Sequence, residues 1–173
     1  MSNITNINEF IRLFGPDVFL IRNSKLGVRR PVSEMEMYNK KGHDITFMPN
    51  SNSGTTDAEV YQYNAVFIDI DAGKTEEGHY FSDDEIANVK KPLLASIKDF
   101  KLEPSIIVET RNGYHAYWLL KEKETVTEEK WRACQVGLIN HFGSDPKVKN
   151  PSRQMRAPFF LWQKKNKKDA SGR

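Results

Sequence analysis

Two apolar runs, 105–109 and 114–120, flank Thr110-Arg111-Asn112-Gly113. Asn-Gly between strand-forming runs is the strongest short hairpin signal, because the tight turns that join antiparallel strands favour those two residues. The rest of the chain must therefore be built around an antiparallel pair. Residues 60–70, with Ala65-Val66-Phe67-Ile68 at the heart, predict a third strand of buried type. Residues 83–100 between them predict a helix. Ser82 caps it, Glu85 completes a capping box, and Asp83 and Asp84 suit the positive end of its dipole. Pro92 predicts a kink there, or two shorter helices.

Residues 127–142 predict a second helix, with Thr127 as cap and Gly143 as stop. Residues 155–161 predict a last strand, broken by Pro158. The order strand, helix, strand, strand, helix, strand predicts an α+β fold: an RRM-like, mostly antiparallel sheet with helices on one face. The other face is then free to hold a substrate. Upstream, 7–13 has helical spacing and stops at Gly15-Pro16, while 18–22 and 44–48 read as strands. Residues 23–42 read as polar and irregular, and 49–57 as a loop. These add an N-terminal αβ layer.

The 173 residues suit one domain, divided into an αβ layer (1–58), the sheet module (59–162) and a basic tail (163–173). Apolar residues at 38% and aromatics at 11% support a core and exclude a disordered chain. No run long enough for a membrane span occurs, and the first residues do not form a secretory signal. Cys134 stands alone, which excludes an internal disulfide and a cysteine-rich zinc site and points to the cytoplasm. Net charge is +3, yet residues 145–173 hold nine Lys or Arg against two Asp, so they carry +7 and leave −4 for the remainder. Such a segment suits a polyanion, although a basic tail is also an ordinary solvated end.

Three clusters are candidates for chemistry. Asp69 and Asp71 alternate with Ile70 at a strand end, so both carboxylates share one face, where they repel unless a cation lies between them. Taken alone, the pair is equally a solvated acidic turn. The turn at 110–113 delivers His115 to the start of a strand with Arg111 beside it, and both side chains can bind phosphate. His115 is otherwise an ordinary hydrogen-bonded strand residue, Arg111 a solvated turn tip, and Tyr117, on the same face, a core aromatic. Asp145, after a helix stop, precedes Lys147, Lys149, Arg153 and Arg156. The acid can complete a metal site and the arginines can neutralise a triphosphate, or the stretch is a charged surface loop.

Together the clusters resemble the archaeo-eukaryotic primase superfamily, in particular the primase-polymerases and RepB-like primases of mobile elements. Phe67-Ile68-Asp69-Ile70-Asp71 is similar to its acidic first motif, Gly113-Tyr114-His115 to its small-x-His second, and Asp145 to its lone third acid. Glycine stands where the small residue is often serine. Ser152-Arg153-Gln154-Met155-Arg156-Ala157-Pro158 looks like the Ser-Arg-x-x-Arg-x-Pro segment of RepB-like members. The resemblance covers roughly residues 44–160.

It implies a DNA primase or polymerase-type nucleotidyltransferase, with Asp69, Asp71 and Asp145 holding two divalent ions, Mg²⁺ or Mn²⁺. His115, Arg153, Arg156 and Arg111 would grip the nucleoside triphosphate. Lys147, Lys149, Lys164, Lys165, Lys167 and Lys168 would meet a single-stranded DNA template. A helicase or accessory primase domain is an implied partner. Three rivals stay open: a single-strand-binding module with Tyr117 or Trp118 as stacking platforms, a tyrosine initiator nuclease, and a degenerate primase fold kept as a partner subunit. The scattered His43, His79, His115 and His141 speak against the nuclease.

Overall fold

The structure, a computed structural model, describes residues 4–22 and 32–163. The elements are α1 (Ile7–Phe14), β1 (Leu20–Arg22), α2 (Val32–Lys40), β2 (Ile45–Phe47), β3 (Ser51–Asn52), β4 (Val60–Gln62) and β5 (Ala65–Asp71). There follow α3 (Asp83–Lys98), β6 (Ile106–Glu109), β7 (Gly113–Leu119), α4 (Glu128–Phe142), a 3-10 turn (Pro146–Lys149) and β8 (Met155–Arg156). Three antiparallel sheets result: β5-β7-β6, β1-β2-β8 and the small β3-β4 pair. The α+β class with antiparallel sheets is as the sequence predicts.

The hairpin at 110–113 forms as expected, and β5 pairs with β7 along its full length, from Ala65↔Leu119 to Asp71↔Gly113. Phe67, Asp69 and Asp71 therefore share a face with His115 and Tyr117. The Phe67–Tyr117 half of that face is covered: the Tyr117 ring packs against Phe10 and Phe14 of α1 and Phe47 of β2. Each such buried ring contributes roughly 1.5–3 kcal/mol, so the N-terminal layer is part of the core. The Asp69–His115 half is the part left for chemistry. On the opposite face, Trp118 meets Phe100, which follows α3, and Phe142 of α4.

Local chemistry explains the helices. Asn6 caps α1 through Glu9 N–H, Ser82 and Glu85 form a complete capping box on α3, and Thr127 caps α4. Gly143 ends α4 in the left-handed conformation, φ 59°.

Several expectations are corrected. Residues 32–40 are helical rather than irregular. The buried side of α2 is Met35 and Asn39, and the Asn39 amide donates to the carbonyls of His43 and Leu161, so a polar residue hides the apolar stripe. The 60–70 run is two strands. It breaks before Asn64, whose buried main chain and amide bond to Asn50, Pro49 and Ser51. The stretch 49–57, read as a loop, contributes β3. α3 runs unbroken through Pro92, which is exposed, so the freed Asn88 carbonyl can meet water. The last strand is only Met155–Arg156, and it pairs with β2 rather than joining the β5-β7-β6 sheet.

Candidate active site

β5 ends in Asp69 and Asp71, and the register sets His115 directly across from Asp69 and Gly113 across from Asp71. A Cβ on Gly113 would stand 1.9 Å from the Ile70 carbonyl oxygen. Glycine is therefore required here by the close approach of the β5 backbone. The turn is fixed by Thr110 Oγ1, which accepts from Gly113 N–H at 3.0 Å, and by Ala72 N–H donating to the Asn112 carbonyl at 2.8 Å. Lys90 of α3, almost fully buried, donates to Glu109 and to the Thr110 carbonyl, both at 2.6 Å.

The third acid arrives by a main-chain bond: Asp145 N–H donates to the Asp69 carbonyl at 2.9 Å. The Asp145 side chain caps its own 3-10 turn, with Oδ1 accepting from Lys147 N–H at 2.9 Å. Burial pushes the Asp69 carboxyl above the usual carboxylate range, Asp145 pushes it further, and Arg156 and Arg153 oppose. Burial also raises Asp71, with Asp69 adding to the effect. Two carboxylates held against their own repulsion, with arginines nearby, form an oxygen donor set for a hard divalent ion that also takes substrate phosphates. Among the described residues no three His, Cys, Asp or Glu form a ready metal cage. Asp69 and Asp71 are the acids that line a small polar cavity, and Asp145 does not line it.

His115 is buried, and its pKa falls to about 4, chiefly through burial and then the charge of Arg156. It is thus neutral at pH 7, where a phosphate contact from it is a hydrogen bond of a ring N–H rather than an ion pair. Nε2 lies 3.5 Å from Asp69 Oδ1, and Nδ1 lies 3.3 Å from the Tyr117 hydroxyl. The Tyr117 hydroxyl stays protonated, because burial raises its pKa well above 10. When Asp69 is ionised its carboxylate can only accept, which favours the imidazole proton on Nε2 and Tyr117 as donor to Nδ1. Tyr117 is fully buried and Trp118 nearly so, which removes both as stacking platforms for bases.

Arg156, delivered by β8, lines one small polar cavity with Asp69, Asp71, His115, Arg111 and Asn112. Arg153 acts on Asp69 and His115 by charge and does not line that cavity. Arg111 sits at the rim, paired with Asp83 at 3.1 Å. Lys147 and Lys149 are exposed on the 3-10 turn next to Asp145. Lys164, Lys165, Lys167 and Lys168 lie outside the described residues. A larger cavity of about 910 Å³ lies on the helix side of the sheet, lined by Val66, Phe100 and Trp118. It is almost wholly apolar and holds neither acid of the β5 pair.

Several contributors carry no sequence signal. Asn50 donates to the Pro151 carbonyl while accepting from Asn64 N–H, so it ties the arginine segment to the start of β5. Asp57 accepts from Ser152 Oγ at 2.6 Å and from Arg132 at 2.9 Å. Tyr80 and Trp162 line the polar cavity, and the Arg156 guanidinium stands 5.0 Å from the Trp162 ring centre. Nothing in residue order alone assigns any of these to the site.

Paired acids at a strand end, a buried histidine opposite and Arg156 from a second sheet thus line one polar cavity. The chain belongs to the RepB DNA-primase N-terminal domain family, which matches residues 28–173. Among solved structures it is similar to the AEP domain of the cyanophage S-2L primase-polymerase, with TM-score 0.57 and 23% identity over 78% of this chain and 64% of that one. It is also similar to the catalytic domain of primase RepB′ in complex with initiator DNA, with TM-score 0.56 and 16% identity over 92% and 77% of the two chains. Primase RepB′ itself gives TM-score 0.54 and 18% identity over 93% and 51%. At these identities the likeness establishes the fold, and the chain spans 64% of the length of the solved cyanophage AEP-domain chain. No curated protein matches the sequence. No helix among the described residues is long and apolar enough to cross a membrane.

Proposed function

We propose that the chain is the catalytic domain of a DNA primase or primase-polymerase, a metal-dependent nucleotidyltransferase that adds nucleotides on single-stranded DNA during replication of a mobile element. The observation that carries this reading is the meeting of Asp145 with Asp69 at the end of β5, through a main-chain hydrogen bond that brings the charge of Asp145 to bear on the Asp69 carboxyl. Family membership and a relative solved with initiator DNA support the template. The division into an N-terminal layer, a sheet module and a basic tail belongs to the same proposal, as does a cytoplasmic location.

In this reading Asp69 and Asp71, with Asp145 beside them, would hold Mg²⁺ or Mn²⁺, which supplies activation of the attacking hydroxyl and neutralisation of the leaving pyrophosphate. The chain's own residues position and neutralise. Arg156, with Arg153 behind it, faces the triphosphate. Neutral His115 orients Asp69, or donates Nε2–H to a phosphate oxygen, and Tyr117 holds its ring. Asn112 Oδ1 and Arg153 Nε are buried without a hydrogen-bond partner, as polar atoms that await a polar ligand are.

A second reading is a non-catalytic single-strand-binding or partner subunit. It draws on the absence, among the described residues, of a three-ligand metal cage and on the use of Asp145 Oδ1 as a turn cap. The two readings are separated by incorporation of labelled ribo- or deoxynucleotides on single-stranded DNA with Mg²⁺ or Mn²⁺, with and without a primer. Product supports the enzyme; DNA binding with no product under any combination supports the second reading.

A further inference from the structure

β5 pairs with β7 on one side only, so its other edge needs partners for its main chain. That edge is closed by α4 and the turn after it. Trp131 Nε1 donates to the Ala65 carbonyl at 2.8 Å. One helical turn on, Gln135 Oε1 accepts from Phe67 N–H at 3.0 Å and Gln135 Nε2 donates to the Phe67 carbonyl at 2.6 Å. Asp145 N–H then takes the Asp69 carbonyl. The series Ala65, Phe67, Asp69 is thus satisfied as a neighbouring strand would satisfy it.

Gln135 does one thing more. The same Nε2 donates to the Val148 carbonyl at 2.9 Å, inside the 3-10 turn that begins at Asp145. Gln135 is fully buried, and all three of its partners are main-chain atoms. An apolar residue of the same shape would fill the core equally well and would leave three main-chain groups unpaired. Polar satisfaction at this one position therefore joins the strand of two acids to the turn of the third.

We propose that Gln135 is a positioning residue that sets the place of Asp145 relative to Asp69. This rests on the primase reading for its catalytic consequence, while its structural half stands independently. Gln135→Met removes all three bonds at similar volume. Gln135→Glu keeps the acceptor and supplies at most one donor hydrogen.

Amide hydrogen exchange is measured in wild type and both variants at Asp145 and Val148, with His115 and Tyr117 of β7 as internal references. Nucleotide incorporation is measured alongside. The expected result is exchange at Asp145 and Val148 faster by on the order of tenfold, with β7 much less affected. The expected kcat loss is on the order of 10–100-fold, as for residues that orient metal ligands, with KM for nucleotide changed less than about twofold. Unchanged exchange at Asp145, acceleration equal throughout β7, or failure of both variants to fold would each overturn the assignment, the last by making Gln135 a core support only. An inactive wild type would contradict the primase reading instead, and the exchange data would still decide the clamp.

Discussion

The main-chain amide of Asp145 donates to the carbonyl of Asp69, so two acids far apart in the sequence are joined through backbone rather than through side chains. The Asp69 carboxyl senses the charge of Asp145, whose own Oδ1 caps its turn. Burial and like charge raise both Asp69 and Asp71, which means that the folded protein resists ionising them.

Asp71→Asn should therefore leave the metal-free protein folded and no less stable at pH 7, since it removes a repulsive charge. Added Mn²⁺ should raise the melting temperature of wild type in a concentration-dependent way, because a ligand that binds only the folded state stabilises it. The variant should show a much smaller rise. Thermal scans over a Mn²⁺ series check this, and equal rises in the two proteins would place the ion elsewhere.

His115 adds a pH signature. Its folded pKa of about 4 lies below the value of 6.5 for an exposed imidazole. Between those pH values the unfolded chain binds a proton that the folded chain refuses. Its contribution to stability is thus present above pH 6.5 and is lost as pH falls towards about 4. Asp69 and Asp71 act in the opposite sense, since their raised folded pKa favours the protonated fold. The difference between wild type and His115→Gln isolates the histidine, and it should be larger at pH 7 than at pH 4.5. A difference independent of pH would show that His115 is not held neutral.

Gly113→Ala should destabilise the fold by on the order of 2–4 kcal/mol, because its Cβ would overlap the Ile70 carbonyl and force β5 away from the turn. Denaturant titration measures the loss. A change below about 0.5 kcal/mol, the size of an ordinary surface substitution, would mean that the strand and turn do not approach so closely.

Asp57→Ala should loosen the arginine segment, because Ser152 loses its acceptor and Arg132 loses one of three. The stability cost should be about 1 kcal/mol, toward the low end for charged hydrogen bonds, since Arg132 is partly exposed. If the segment carries the phosphate contacts, KM for nucleotide should rise several-fold with kcat falling less. Steady-state kinetics over a nucleotide series decide it, and an unchanged KM would separate the anchor from the site.

The lysines at 164, 165, 167 and 168 give a binding prediction from charge alone. Their replacement by alanine should weaken single-strand binding and flatten its salt dependence by about 0.7 in slope for each DNA phosphate that a lysine no longer neutralises. Nucleotide binding should hold. Filter binding at several salt concentrations tests this, and identical slopes would make the segment a solvated end.

What was legible in the sequence is what local chemistry writes there. Ser82-x-x-Glu85, Thr127 and Gly143 mark helix ends by capping, and alternation through Asp69-Ile70-Asp71 puts both acids on one face. The rest depended on partners far along the chain. α2 was hidden because Asn39 occupies its buried side. The true role of Gly113 is set by the Ile70 carbonyl across the sheet. The burial that pushes the pKa of His115 down to about 4 comes from packing that residue order does not show. Asn50, Asp57 and Gln135 each act through several hydrogen bonds to groups far along the chain, and such bonds leave no pattern in residue order.

Whether Asp69, Asp71 and Asp145 act together in nucleotidyl transfer is decided by divalent-ion-dependent incorporation of labelled nucleotide on single-stranded DNA. Wild type is compared with Asp69→Asn, Asp71→Asn and Asp145→Asn, each variant first shown to be folded. The expected result is activity in wild type and a loss of on the order of 100-fold or more in all three variants, the scale of removing one charge-stabilising group from an active site. An active wild type with an equally active Asp145→Asn would contradict a shared site of three acids.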